Sequence, residues 1–223
     1  SNLLGTDGDY SDSGTPDSSY YKGSLSKIDR YSWNYKNNTS INNGCGSNEW
    51  STSLLNKINL NTNYLNNIGT TWSNMIEDAT WKVSGHSTSE VTPTEMYTGE
   101  IKNAIKTYGP SDGTSKIGLM YLSDYGFAAS PSAWTKTLYN YNGTDVNGTS
   151  IKTINWMYMG YDEWTISPKS SNSYDVFLLY YNGNVNSIIA SSGYGSRPVM
   201  YLKASVLYAG GSGTKNSPIT LVV

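Results

Sequence analysis

Few residues in this chain are equipped for covalent or acid–base chemistry. Its 223 residues include one histidine, His86, and one cysteine, Cys45. A Ser-His-Asp triad would have to use His86, which sits in a polar loop over residues 85–94. A metal centre would need further His or Cys ligands beside it, and the sequence supplies none there. Cys45 lies in a Gly-rich loop without an internal disulfide partner. Glycosidase chemistry needs two carboxylates across a cleft. Asp124, Asp162, Glu163 and Asp175 are candidates, but no spacing singles out a pair. No Gly-x-Ser-x-Gly elbow occurs, and the Gly-rich runs 193–196 and 210–213 open no periodic helix that would cradle phosphate. The run Asp7-Gly8-Asp9-Tyr10-Ser11-Asp12 alternates oxygen ligands as a calcium loop does. It lacks the later Glu and the helical flanks, so it reads first as a solvated acidic turn, with calcium as the alternative. These absences point away from an enzyme and from a cofactor.

What the chain has in quantity are side chains that make contacts. It carries 20 Tyr, 7 Trp and only 2 Phe, with 14% charged residues and a net charge of −2. Only two arginines occur, Arg30 and Arg197, and no basic stripe suits nucleic acid. A polybasic membrane patch and a long apolar run are also missing, so membrane insertion by this segment is not expected. Abundant Asn, Ser, Thr, Tyr and Gly with few charges suit an extracellular β-rich binding module. The abrupt start at Ser1 suggests a mature form or an excised fragment whose anchor lies upstream.

These contact residues concentrate in the stretch 155–202, which organises the chain. Two β-prone runs, 174–181 and 184–190, flank Asn182-Gly183, the strongest short-range signal for a hairpin. Its outward positions and neighbouring loops are expected to form a recognition surface. Upstream, residues 1–50 are loop-rich, with short elements at 25–28 and 31–35. Residues 51–78 carry apolar side chains at three- and four-residue spacing (Leu54, Leu55, Ile58, then Tyr64, Leu65, Ile68, Trp72, Met75, Ile76), predicting two helices capped by Ser51 or Ser53. Residues 79–83 read as a strand, 96–108 as helix or strand, and 116–122 as a buried strand. A short helix is expected over 130–138 with Trp134 inward, followed by an exposed loop over 139–150. Strands at 206–209 and 219–223 close the chain around a Gly-rich turn. The whole reads as one α+β domain.

The order of these pieces resembles a family, the bacterial C-type-lectin-like fold related to the formylglycine-generating enzymes. The resemblance is carried by Trp50 with Leu54-Leu55-Asn56, Tyr64-Leu65-Asn66, Ile76, Trp81-Lys82-Val83, Ile117-Gly118-Leu119-Met120-Tyr121 and Ser123-Asp124-Tyr125-Gly126. It continues through Asn155-Trp156, Glu163-Trp164-Thr165 and Gly195-Ser196-Arg197-Pro198-Val199-Met200-Tyr201-Leu202-Lys203, with Gly211-Ser212-Gly213-Thr214 behind. It covers residue 50 to the end and leaves residues 1–50 aside. Similar domains end secreted and pilin-like proteins of gut Firmicutes.

The resemblance implies small antiparallel sheets, two flanking helices and long irregular loops, with Trp156 and Trp164 in the core. It places the ligand surface between Trp156 and Arg197, a region diversified in some relatives by a retroelement. Tyr158, Tyr161, Asp162, Tyr174, Asp175, Tyr180, Asn182, Asn184, Asn186, Ser191, Ser192 and Tyr194 are the expected contact residues. Glu-Pro-Asn and Trp-Asn-Asp, which hold calcium-bridged sugars in animal lectins, are missing, as are the oxidising cysteines of the related enzymes. The expectation is therefore a non-enzymatic adhesin-like domain on a bacterial surface or pilus, binding a host or bacterial surface glycan or protein. The alternative is a structural pilin-like subunit that self-assembles.

Overall fold

A computed structural model describes residues 31–34, 45–102 and 112–223. Its strands are β1 (Tyr31–Ser32), β2 (Ala79–Trp81), β3 (Gly113–Ser115), β4 (Ile117–Gly118), β5 (Glu163–Pro168), β6 (Asp175–Leu179), β7 (Val185–Ile189), β8 (Gly193–Tyr194), β9 (Val199–Met200), β10 (Leu207–Gly210) and β11 (Thr220–Val222). They pair as small antiparallel sheets: β1 with β8, β2 with β3, β4 with β9, β6 with β5 on one side and β7 on the other, and β10 with β11. The architecture is mixed α+β, as the sequence predicts. The expected elements at 25–28 and the acidic run 7–12 lie outside the described residues.

The hairpin forms where Asn182-Gly183 places it, with β6 and β7 in register from Asp175↔Ile189 to Leu179↔Val185. Its loop holds three residues, 181–183. Gly183 N–H donates to Tyr180 O (2.8 Å), and Tyr180 N–H donates to Asn184 O (2.8 Å). Gly183 takes φ +89°, which closes the bulge that follows such a turn. The expectation for its faces does not hold. β6 is buried on both sides, because Val176-Phe177-Leu178-Leu179 is a continuous apolar run, the pattern of a strand covered twice. Val176 and Leu178 join a cluster with Trp33, Trp50, Trp81 and Trp164. Phe177, Leu179 and Val185 join a second cluster with Tyr125, Leu138 and Tyr141. The hairpin is thus the partition between two halves of the core.

A widely wound helix over Leu55–Tyr64 runs into α1 (Leu65–Ile68), and α2 (Thr70–Ser73) follows Gly69 at φ +83°. Ser53 caps this helical region, its hydroxyl accepting from Asn56 N–H (3.2 Å). Leu54, Leu55, Met75 and Ile76 are buried as expected, and Leu60 with them, while Trp72 is half exposed. α3 (Pro93–Tyr97) begins with a Thr92/Glu95 capping box and continues as helix through Lys102. Residues 103–108 lie outside the described set.

The stretch 116–122 is buried, but only Ile117 and Gly118 pair, with β9. From Leu122 the chain turns into α4 (Leu122–Phe127). The cause is Glu100, whose fully buried carboxylate accepts from Leu122 N–H (3.0 Å), Ser123 N–H (3.1 Å) and the Ser167 hydroxyl. It satisfies orphan amides at the start of α4, beyond the end of β4 at Gly118. Burial pushes its pKa up to about 7, against the hydrogen bonds that favour the charged form.

One further expectation fails nearby. Trp134 is partly exposed, its ring edge-on to Phe127 and its indole N–H on Ala129 O (2.8 Å). The loop 139–150 is exposed over most of its length, as expected, and is anchored at two points: Tyr141 is buried with its hydroxyl on Gly126 O (3.0 Å), and Asp145 accepts from Asn147 and Thr149 N–H (2.9 and 2.8 Å).

Candidate binding surface

The loop over residues 155–162 is hydrogen-bonded to the backbone of Tyr181 at the hairpin tip. This loop is tied down at its start, middle and end. Asn155 bridges to Ala129, and its amide donates to Tyr125 O (2.9 Å) while its Oδ1 accepts from Met157 N–H (3.0 Å). Met157 O accepts from Arg197 Nη2 (3.1 Å), and the same guanidinium pairs with Glu163. The Tyr158 hydroxyl donates to Tyr181 O (2.6 Å). Asp162 Oδ1 accepts from Tyr181 N–H (2.7 Å), and Asp162 O accepts from Gly195 N–H (3.0 Å). Gly160, at φ +75°, turns the chain between these ties.

The fixed backbone presents large side chains outward. Trp156 is 79% exposed, Tyr181 is 65% exposed, and Met159 and Tyr161 are also exposed. This corrects the expectation that Trp156 is core. Its backbone N–H bonds to Ala128 O, and Met157, the next residue, is the one buried in the second cluster. Trp164 is fully buried, as expected, with its indole N–H on Tyr31 O (2.7 Å). Lys152 lies over the Tyr158 ring, 5.8 Å from its centroid.

The expected contact residues separate into two groups. Tyr158, Tyr161, Asp162, Tyr180, Asn182 and Asn184 gather at the hairpin tip. Asn182 Oδ1 accepts from Asn184 N–H (2.9 Å) and shapes the turn, while Tyr180 leans on the first core cluster. Tyr194 sits near them, half buried and edge-on to Trp164 at 5.1 Å. Tyr174, Asp175, Ser191 and Ser192 lie at the other end, roughly 17 Å away along five residues of strand. There they are structural: Tyr174 and Asp175 N–H donate to Asn172 Oδ1 (3.0 and 2.7 Å), and Ser191 N–H donates to Cys45 O (3.0 Å). Asn186 lies mid-strand on β7, its Oδ1 on Ser187 N–H (2.8 Å). Trp156, Met159 and Tyr181 are the surface residues that sequence reasoning left out. The run Trp-Met-Tyr-Met-Gly-Tyr, large side chains around a glycine with no alternation, is the signal that marks them.

Among the described residues, no cluster of three or more His, Cys, Asp and Glu is arranged to hold a metal. No helix there is long and apolar enough to cross a membrane. His86 uses its backbone O to accept from Ser170 N–H (3.0 Å), and its Nδ1 is buried. Asp124 caps Tyr121 N–H (3.2 Å), Glu163 pairs with Arg197, and Asp175 binds the Asn172 amide (2.8 Å), so these carboxylates hold the fold. No family model matches the chain, and no curated protein or solved structure is significantly similar to it.

Proposed function

We propose that this chain is a non-enzymatic ligand-binding domain of C-type-lectin-like fold, displayed on a bacterial surface as an adhesin. Its contact face is the loop 155–162 with the hairpin tip. One observation carries this reading: Trp156, Met159, Tyr161 and Tyr181 are exposed on a backbone held by hydrogen bonds from Asn155, Tyr158, Asp162 and Arg197. Large apolar side chains presented together on a rigid scaffold mark an interaction site. Aromatic anchors lose little entropy on binding, because they have two side-chain torsions and a fixed base. The polar partners around them, Tyr158, Asp162 and Asn182, supply hydrogen bonds. Flat rings with neighbouring hydroxyls and amides suit the face of a sugar or a protein surface.

The test is a screen of the purified chain against glycans and surface proteins, with and without calcium. A companion variant carries Ala at Trp156, Tyr161 and Tyr181. A hit that the variant loses, at unchanged melting temperature, supports this face. A hit that the variant keeps places the site elsewhere, and calcium dependence would bring residues 7–12 into the account.

A further inference from the structure

An asparagine followed by glycine is able to modify itself. The glycine backbone nitrogen gives up its proton to solvent base and attacks the asparagine Cγ. A C–N bond forms, and the side-chain nitrogen leaves as ammonia. The cyclic imide that results takes up one water and opens at either carbonyl. Opening at Cγ gives aspartate. Opening at the backbone carbonyl gives isoaspartate, whose main chain runs through Cβ and Cγ. Only water is consumed, so access to the glycine nitrogen decides the rate. Glycine suits the step because it has no Cβ to shield that nitrogen and changes backbone conformation freely.

Four such pairs occur, beginning at Asn43, Asn142, Asn147 and Asn182. Asn43 lies outside the described residues. The other three differ in what holds the glycine N–H. Gly183 N–H donates to Tyr180 O at 2.8 Å, and the Asn182 side chain is engaged as well, its Oδ1 on Asn184 N–H (2.9 Å). Gly143 N–H donates to Asn140 O at 2.9 Å. Gly148 N–H reaches Asp145 O only at 3.3 Å, beyond the usual range of such bonds. Asn147 and Gly148 are both exposed, within the turn that Thr144 and Ser150 close by a β-bridge. Solvent base has access at an exposed loop tip of this kind.

We propose that Asn147 is a self-modification site, converting to aspartate and isoaspartate in the folded chain ahead of Asn142 and Asn182. The consequence falls on Asp145. Its Oδ1 accepts from Asn147 N–H (2.9 Å) and Thr149 N–H (2.8 Å), and its own N–H donates to Thr149 O (2.8 Å). Isoaspartate inserts one more main-chain carbon between these anchors. Either product also adds a carboxylate two residues from Asp145, in a chain whose net charge is already −2. Conversion therefore loosens the turn. This holds whether or not the hairpin tip binds a ligand.

Incubating the full chain at mildly alkaline pH, beside a sample unfolded in urea, tests it. Digestion and mass spectrometry read each site separately, as a gain of about 1 Da. In the folded chain Asn147 should convert about fivefold faster or more than Asn142 and Asn182, the factor that one well-formed hydrogen bond supplies. In urea the three should convert at similar rates, because nothing then holds the glycine N–H groups. Asn147→Gln changes an exposed side chain and should fold, as circular dichroism will check, and should remove the product. Hydrogen exchange at Thr149 N–H should quicken in the aged parent and not in the aged variant. An Asn147 that stays intact in the folded chain for as long as the unfolded sample takes to convert overturns the proposal. So does conversion of folded Asn142 or Asn182 as fast as Asn147, the same ranking in urea as in the folded chain, or unchanged Thr149 exchange in the aged parent.

Discussion

Glu100 makes the folded chain's stability depend on pH in an uncommon direction. Its carboxyl is fully buried, and burial raises its pKa from the ordinary 4.5 to about 7. Between those values the folded chain holds a proton that the unfolded chain has released. Stability therefore falls as pH rises through this window, is greatest below it and level above it. At ~1.36 kcal/mol per pKa unit, the difference amounts to about 3 kcal/mol. Other carboxyls overlap: Asp124 is also raised by burial, while Glu95 and Asp145 are lowered by hydrogen bonds. The variant Glu100→Gln isolates the effect. Gln keeps one acceptor but turns an NH2 toward Ser123 N–H, a pH-independent cost of about 1–3 kcal/mol. Urea denaturation of both proteins at pH 4, 5, 6, 7 and 8 gives the comparison. The stability advantage of the parent should shrink by about 3 kcal/mol from pH 4.5 to 7. An advantage that does not change with pH, or that grows, refutes the reasoning. Growth would mean that the donors from Leu122, Ser123 and Ser167 outweigh burial and hold the group charged.

The remaining predictions concern packing and the surface. A Cβ on Gly118 would stand 2.6–2.7 Å from the Trp81 ring, so Gly118→Ala should destabilise by about 1–3 kcal/mol, read from the denaturant midpoint. Trp164→Ala should cost about 3–5 kcal/mol and Trp156→Ala no more than about 0.5 kcal/mol, because one indole fills the core and the other lies in solvent. Asp162→Ala removes the acceptor for Tyr181 N–H; hydrogen exchange at that amide should speed up, with a stability loss of about 1 kcal/mol.

The hairpin was legible because Asn-Gly is a local signal, and the helical region over 54–76 because its period is local too. The paired strands near the C-terminus followed from the Gly-rich turn between them. Partners far apart in sequence were harder to read. The stretch 116–122 has a strand's composition, but Glu100 redirects it, and nothing local to Leu122 announces a carboxylate from another segment. The Thr92/Glu95 box was written in the sequence as Thr-x-x-Glu and would have fixed the start of α3. Trp134 is expected inward from its place in a short helix and Trp156 from the family resemblance, whereas Trp33, Trp50, Trp81 and Trp164 are the indoles that fill the core. On β6 the unbroken apolar run Val176–Leu179 signals burial on both faces. Of the expected contact residues, Tyr158, Tyr161 and Asp162 come to the hairpin tip through the hydrogen bonds of Tyr158 and Asp162 to Tyr181, which join segments distant in sequence. Tyr174, Asp175, Ser191 and Ser192 do not, because a strand of five residues separates its two ends.

The central claim is that ligand engages the loop 155–162 and the hairpin tip. The seven indole N–H resonances report on it directly, since Trp156 lies on this surface, Trp72 lines an apolar pocket, Trp134 lies on α4's flank, and the other four are buried. Titrating the labelled chain with the ligand recovered from the screen should shift Trp156 and leave the buried four in place. A shift at Trp72 with Trp156 unmoved would contradict the account.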